Sequence, residues 1–111
     1  MQGPLKPADF HILLALSDGP RHGYGIMKEV ERESAGGVRL EIGSLYRLLA
    51  RLLGAGLIEE AEASTGAEDD GRRRNYRLSR LGRRTLKAEA ERLAGLVAVF
   101  RARKLISEGG A

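Results

Sequence analysis

The densest chemistry in this chain is cationic. Between Gly71 and Lys87 stand Arg72, Arg73, Arg74, Arg77, Arg80, Arg83, Arg84 and Lys87, with no acid among them. Such a cluster concentrates positive potential on one part of the surface, as binding to a phosphate backbone requires. The bland alternative is a solvated charged face. The stretch before it is the reverse, with Glu59, Glu60, Glu62, Glu68, Asp69 and Asp70 and no base. A second cationic set lies upstream. On a helical wheel, Leu48, Leu49 and Leu52 cluster around Leu45, while Gly43, Arg47 and Ala50 fall opposite, with Ser44 and Arg51 on one flank and Tyr46 on the other. Small residues permit close approach to a duplex, and Arg47 and Arg51 can reach phosphates and base edges.

No catalytic constellation can be assembled beside these cations. His11 and His22 lack metal-ligand spacing, and no HExxH pattern exists. His11 reads as a helix-surface or boundary residue. The serines have no nucleophile-elbow context, and neither Gly23-Tyr24-Gly25 nor Gly36-Gly37 forms a phosphate-binding loop. The absence of cysteine excludes disulfides and thiolate metal sites. These features imply a protein that is not an enzyme and uses no metal or cofactor. No apolar run is long enough to span a bilayer and no signal pattern opens the chain, so a cytoplasmic location is expected, with no membrane partner.

The length, 111 residues, suits one compact core. Aromatic residues are only 5% of the chain, so Leu, Ile, Val and Ala must fill that core. The net charge of +4 fits nucleic acid, an acidic partner or a membrane surface; its distribution is more informative than its size.

The elements that must position the cations follow from periodicity and breakers. Pro7 to Ser17 reads as a helix with a broad apolar face (Phe10, Ile12, Leu13, Leu14, Leu16), stopped by Asp18-Gly19-Pro20. Gly23 to Glu33 reads as a second, with Tyr24, Met27 and Val30, and Ile26 beside them, at inward spacing, ended by Gly36-Gly37. Val38 and Leu40 suggest a short extended stretch. A third helix is predicted over Gly43 to Ala55, with Gly56 as its stop. Leu57 to Glu62 and Asn75 to Leu78 read as a hairpin around a long polar connection, and Tyr76 packs inside it.

From Ser79, a good N-cap, the pattern is helical to Ile106. Leu86, Ala90, Leu93, Val97 and Phe100 alternate steps of four and three, a seam that buries itself against another helix. A helix of about 42 Å is too long for so small a domain to cover. A second copy of the same helix is the simplest cover, giving a homodimer, while folding back on its own domain is the alternative. The fold expected is mostly α with a small β-hairpin: a winged helix-turn-helix DNA-binding domain over residues 1–78, then a dimerisation helix and tail over 79–111.

Five segments in order and spacing resemble the PadR family of bacterial transcriptional regulators. They are His22-Gly23-Tyr24, Gly43-Ser44-Leu45-Tyr46, Gly56-Leu57-Ile58, the run Arg72-Arg73-Arg74-Asn75-Tyr76-Arg77-Leu78-Ser79, and Leu81-Gly82. The likeness covers about residues 8 to 88. It implies a homodimeric repressor on an inverted repeat, with the third helix in the major groove of double-stranded DNA. Carried over, Ser44 and Tyr46 would meet phosphates or base edges, Arg51 would hold the family's basic position, and Arg72, Arg73 and Arg74 would belong to the wing. Ile42 and Arg47 stand where the family usually has proline, and Ala50 replaces a common lysine. The acidic run Glu68-Asp69-Asp70 is expected to point away from phosphate. Tyr46 packs at the core edge or contacts DNA; both readings stay open, and Tyr24 reads as core. Some relatives bind aromatic compounds between their dimer helices, so Leu93, Leu96, Val97 and Phe100 could line a cavity for a small aromatic effector, though plain dimer packing explains the same spacing. A winged-helix protein-interaction module without specific DNA binding is the alternative function.

Overall fold

The structure is a computed structural model that describes residues 5–61 and 74–107. The expectations for Arg72, Arg73 and Glu68-Asp69-Asp70 fall outside the described residues. The elements run α1 (Pro7–Ala15), β1 (Arg21–His22), α2 (Gly23–Glu33), α3 (Ile42–Gly54), β2 (Ile58–Ala61), β3 (Asn75–Leu78) and α4 (Arg80–Ala102). Three helices, a small antiparallel sheet and a long last helix make the winged helix-turn-helix expected from the residue pattern.

Fully buried Ile12, Leu13 and Leu16 of α1 and its C-terminal turn meet Ile26 and Val30 of α2 and Leu45 and Leu49 of α3. Burying each such side chain contributes about 1.5–3 kcal/mol. α1 lacks a clean polar face because α2 and α4 both pack on it.

Breakers act where their chemistry predicts, with shifts of one or two residues at most helix ends. Gly56 adopts φ +78, a left-handed conformation that glycine enters without penalty. Its N–H bonds the carbonyl of Leu53 and that of Leu57 bonds Leu52, both at 3.0 Å, closing α3 with a Schellman turn. α4 ends at Ala102, short of the predicted Ile106. Lys104 takes φ +61 and the Leu105 N–H reaches back to Phe100 at 2.8 Å, so a lysine fills the left-handed position that glycine usually takes at a helix end. Val38 and Leu40 form no strand. Ser34 Oγ instead accepts from the Val38 N–H at 2.9 Å, and both apolar side chains lean on the core.

The sheet has the order β1-β3-β2. Ile58 lies opposite Leu78, Glu59 opposite Arg77 and Glu60 opposite Tyr76, while β1 places Arg21 against Tyr76 from the other edge. β1 is an addition to the expected hairpin. Tyr76 is buried in the sheet as predicted, at 5% exposure.

The first turn of α4 is built into this body. Ser79 Oγ caps the helix by accepting from the Gly82 N–H at 2.9 Å, and it donates to the Gly56 carbonyl at 2.5 Å. The Ser79 N–H adds a bond to the Leu57 carbonyl at 3.1 Å. One turn on, Leu86 is buried in the same core.

Candidate nucleic-acid interface

α3 supplies the central surface. Its apolar stripe, Leu45, Leu49 and Leu52, is buried, so the opposite side must face solvent. There Gly43, Arg47, Ala50, Arg51 and Gly54 are all exposed, with Tyr46 on one flank and half-buried Ser44 on the other. Among the described residues, no carboxylate lies within ion-pair distance of Arg47. Arg51 differs. Its Nη2 sits 2.6 Å from Oδ1 of Asp9, a nearly buried residue in the first turn of α1. A buried carboxylate cannot swing into water, so Asp9 fixes the base of α3 to α1 and holds the Arg51 head in one place.

The start of α2 explains the His22-Gly23-Tyr24 segment. Nδ1 of His22 accepts the Gly25 N–H at 3.1 Å, so histidine fills the N-cap role that Ser, Thr, Asp or Asn usually takes. Gly23 is buried, and a Cβ on it would stand 2.6 Å from the Tyr46 hydroxyl. The glycine of one motif therefore makes room for the tyrosine of the other. Tyr24 corrects the expectation of a core residue: it is 54% exposed, with the Lys28 ammonium 5.5 Å from its ring centroid. Ile26 takes the inward place. Tyr24 is thus a surface aromatic at the front of α2 that periodicity alone did not reveal.

Tyr46 is 48% exposed and leans across Gly23 toward the sheet. Burial, then the nearby Tyr46 and Glu60, push the Tyr76 phenol above its ordinary value, so Tyr76 is neutral at physiological pH. Two cross-strand ion pairs decorate the wing. Arg74 Nη1 is 2.8 Å from Glu60 Oε2, and Arg77 Nη2 is 3.0 Å from Glu59 Oε1. The acidic and basic runs, separate in sequence, thus pair across the strands.

Behind this surface, Arg21 ties three elements together. Its Nε donates to the Ala15 carbonyl at 2.8 Å, and its Nη2 lies 3.3 Å from Asp18 and 3.6 Å from Glu29. Arg32 also bonds Glu29 and holds that carboxyl below its ordinary value. Half-buried His11 faces Glu33 at 3.6 Å between α1 and α2, and among the described residues neither His11 Nδ1 nor Glu33 Oε1 has a closer hydrogen-bond partner. Burial pushes the Glu33 carboxyl up, against the smaller opposing pull of His11.

The proposed seam residues are divided along α4. Leu86 is used by its own domain, at 8% exposure, whereas Leu93 and Val97 are half-buried and Ala90 is exposed. Phe100 and Leu96 are 42% and 41% exposed, and Val99 and Leu105 add to the apolar surface around them. Arg92 bonds the nearly buried Glu89 at 2.5 Å and, with the Leu5 backbone, holds that carboxyl below its ordinary value. Among the described residues, no cluster of side chains could hold a metal, and no helix is long and apolar enough to cross a membrane.

Known proteins place this architecture. A 37.1 kDa protein in transposon TN4556 of Streptomyces fradiae is 42% identical over 89 residues, covering 80% of this chain. The chain spans only 24% of that relative's length. A PadR family transcription regulator from Clostridium difficile superposes with a TM-score of 0.71 at 23% identity, covering 87% of this chain and 97% of that one. Bacillus subtilis PadR, solved in complex with operator DNA, superposes with a TM-score of 0.64 at 22% identity, covering 75% of this chain and 46% of that one. At such identities the likeness concerns the fold. The family model for the transcriptional regulator PadR-like family matches residues 12–88, which spans α1 through the first turns of α4. With the winged helix, the paired glycine–tyrosine motifs and that match together, this chain belongs to the PadR-like family of transcriptional regulators.

Proposed function

We propose that the protein is a sequence-specific DNA-binding repressor that acts as a homodimer on an inverted-repeat promoter site. The observation that carries this reading is the outer face of α3, where Arg47 stands exposed between Gly43, Ala50 and Gly54 with no carboxylate partner among the described residues. Small neighbours let a helix descend into a major groove, and the guanidinium then reaches base edges or phosphate. Ser44 and Tyr46 are assigned to phosphates or base edges at the helix start, Arg51 to the flank, and Arg72, Arg73 and Arg74 to the wing. Support comes from the fold shared with Bacillus subtilis PadR, which was solved on operator DNA.

In the homodimer, the exposed apolar surface around Leu93, Leu96, Val97 and Phe100 meets its copy. A small aromatic effector seated between the paired helices would change their spacing and release the DNA. Thermal-shift screening with aromatic compounds tests that part, and a compound must both stabilise the protein and weaken DNA binding to qualify.

Binding to DNA upstream of the protein's own gene and its neighbours, followed by fluorescence anisotropy, tests the central reading. Affinity should fall steeply with salt, with a slope of about −0.9 per phosphate contacted. Arg47→Ala should weaken binding by about tenfold or more, and replacing Arg72, Arg73 and Arg74 together by Ala should weaken binding to every sequence. Failure to bind any of these fragments at low salt would refute the reading.

A further inference from the structure

We infer that Glu60 is an internal competitor for the DNA backbone: in the unbound protein its carboxylate occupies the guanidinium of Arg74 that a phosphate would take. The inference rests on the DNA-binding reading above and adds to it a residue that weakens binding.

The register places the pair. Glu60 lies directly opposite Tyr76, and Arg74 immediately precedes β3. Directly opposed side chains share a face, so Tyr76 and Glu60 stand on one side of the sheet, and the ion pair brings the Arg74 head to that side. That side turns toward α3, because Ile58, Tyr76 and Leu78 on it are buried in one core with Leu45, Leu49 and Leu52. Arg74 and Glu60 stand at the exposed end of that side. Glu59 and Arg77 pair on the opposite face.

The Glu60–Arg74 contact is close, at 2.8 Å, yet both side chains stay open to water at 48% and 62% exposure. Ion pairs at such sites are readily exchanged, because water and salt compensate either partner. A carboxylate and a phosphate offer the same oxygen geometry to a guanidinium. Arrival of DNA therefore exchanges one anion for another at Arg74 and leaves Glu60 beside a polyanion. Asp9 is different in kind: it is nearly buried and cannot move aside, so it positions Arg51 instead of competing for it. Arg47 has no carboxylate partner among the described residues and meets no such competition. The wing's contribution to backbone binding is held down by its own acid, which limits capture by the excess of non-cognate DNA in a cell.

The test measures binding of the full chain to a mixed-sequence 30-base-pair duplex by fluorescence anisotropy across a salt series. Glu60→Gln should tighten binding about three- to fivefold at low salt, and that gain should vanish in an Arg74→Ala background. Glu59→Gln, which removes the same charge from the other face, should change affinity by less than about twofold. Thermal melts of each variant should match the parent, since both partners are exposed. An unchanged Glu60→Gln affinity, a gain that survives Arg74→Ala, or an equal gain from Glu59→Gln would each overturn the inference while leaving the DNA-binding reading intact. A parent protein that does not bind the duplex at low salt would overturn both.

Discussion

Gly82, in the first turn of α4, lies so close to Leu57 that a Cβ on it would stand 1.9 Å from the Leu57 carbonyl oxygen and 2.9 Å from its carbon. These are backbone atoms, which cannot rotate away as a side chain would. Gly82→Ala should therefore push α4 off the body and cost about 3 kcal/mol, lowering the melting temperature by about 10–15 °C. A thermal melt followed by circular dichroism measures this. A variant melting within about 2 °C of the parent would show that the junction relaxes freely.

Gly23 faces a softer neighbour. The atom a Cβ would meet is the hydroxyl end of the half-exposed Tyr46 side chain, which can turn aside. Gly23→Ala should leave stability within about 1 kcal/mol of the parent yet weaken DNA binding about tenfold, because Tyr46 loses its place beside α2. Melts and anisotropy on the same preparation separate the two effects. A large loss of stability with binding retained would identify Tyr46 as a packing residue at the core edge.

Glu33 carries a pH signature. Its pKa is raised in the folded protein, chiefly by burial, so the fold binds its proton more tightly than the unfolded chain does. Stability from this group is fully present below its ordinary value of 4.5 and is lost as pH rises through the raised one. His11 opposes that trend without reversing it. Glu33→Gln should thus lose less stability than the parent as pH rises above the ordinary value of 4.5. Parallel melts across that range check it, and a constant difference between the two proteins would rule the account out.

Leu93→Glu should give monomers, since a charge placed in an apolar seam cannot be buried unpaired. Leu96→Glu, at a more exposed position, should do the same with less effect on the single chain's own fold. Sedimentation velocity reads the outcome. Dimers in both variants would place the interface elsewhere.

What periodicity made legible was the part of the fold governed by neighbours in sequence. α2 spans the predicted Gly23–Glu33, and Gly56 ends α3 by its backbone freedom. Features set by distant partners were hidden. β1 is two residues long, too short to show alternation, and exists because β3 lies beside it. Asp9 and Arg51 are 42 positions apart, so nothing local announced their pairing. Tyr24 falls in step with Met27 and Val30 on a wheel, but it stands in the first turn, where no facing element covers it. The seam of α4 was read as one stripe. Spacing cannot reveal that Leu86 answers to its own domain while Phe100 answers to no residue that buries it.

The knot at the root of α4 has a mechanical meaning. The turn that closes α3, Gly56-Leu57, and the turn that opens α4, Ser79 to Gly82, are fastened to each other through two hydrogen bonds from Ser79 and one steric stop at Gly82. Such a junction should couple α3 and the long helix, so that a tilt imposed at Phe100 is passed on to Arg47. In a two-fold pair, the angle at which the distal halves cross would set the phase of the two reading heads along the double helix.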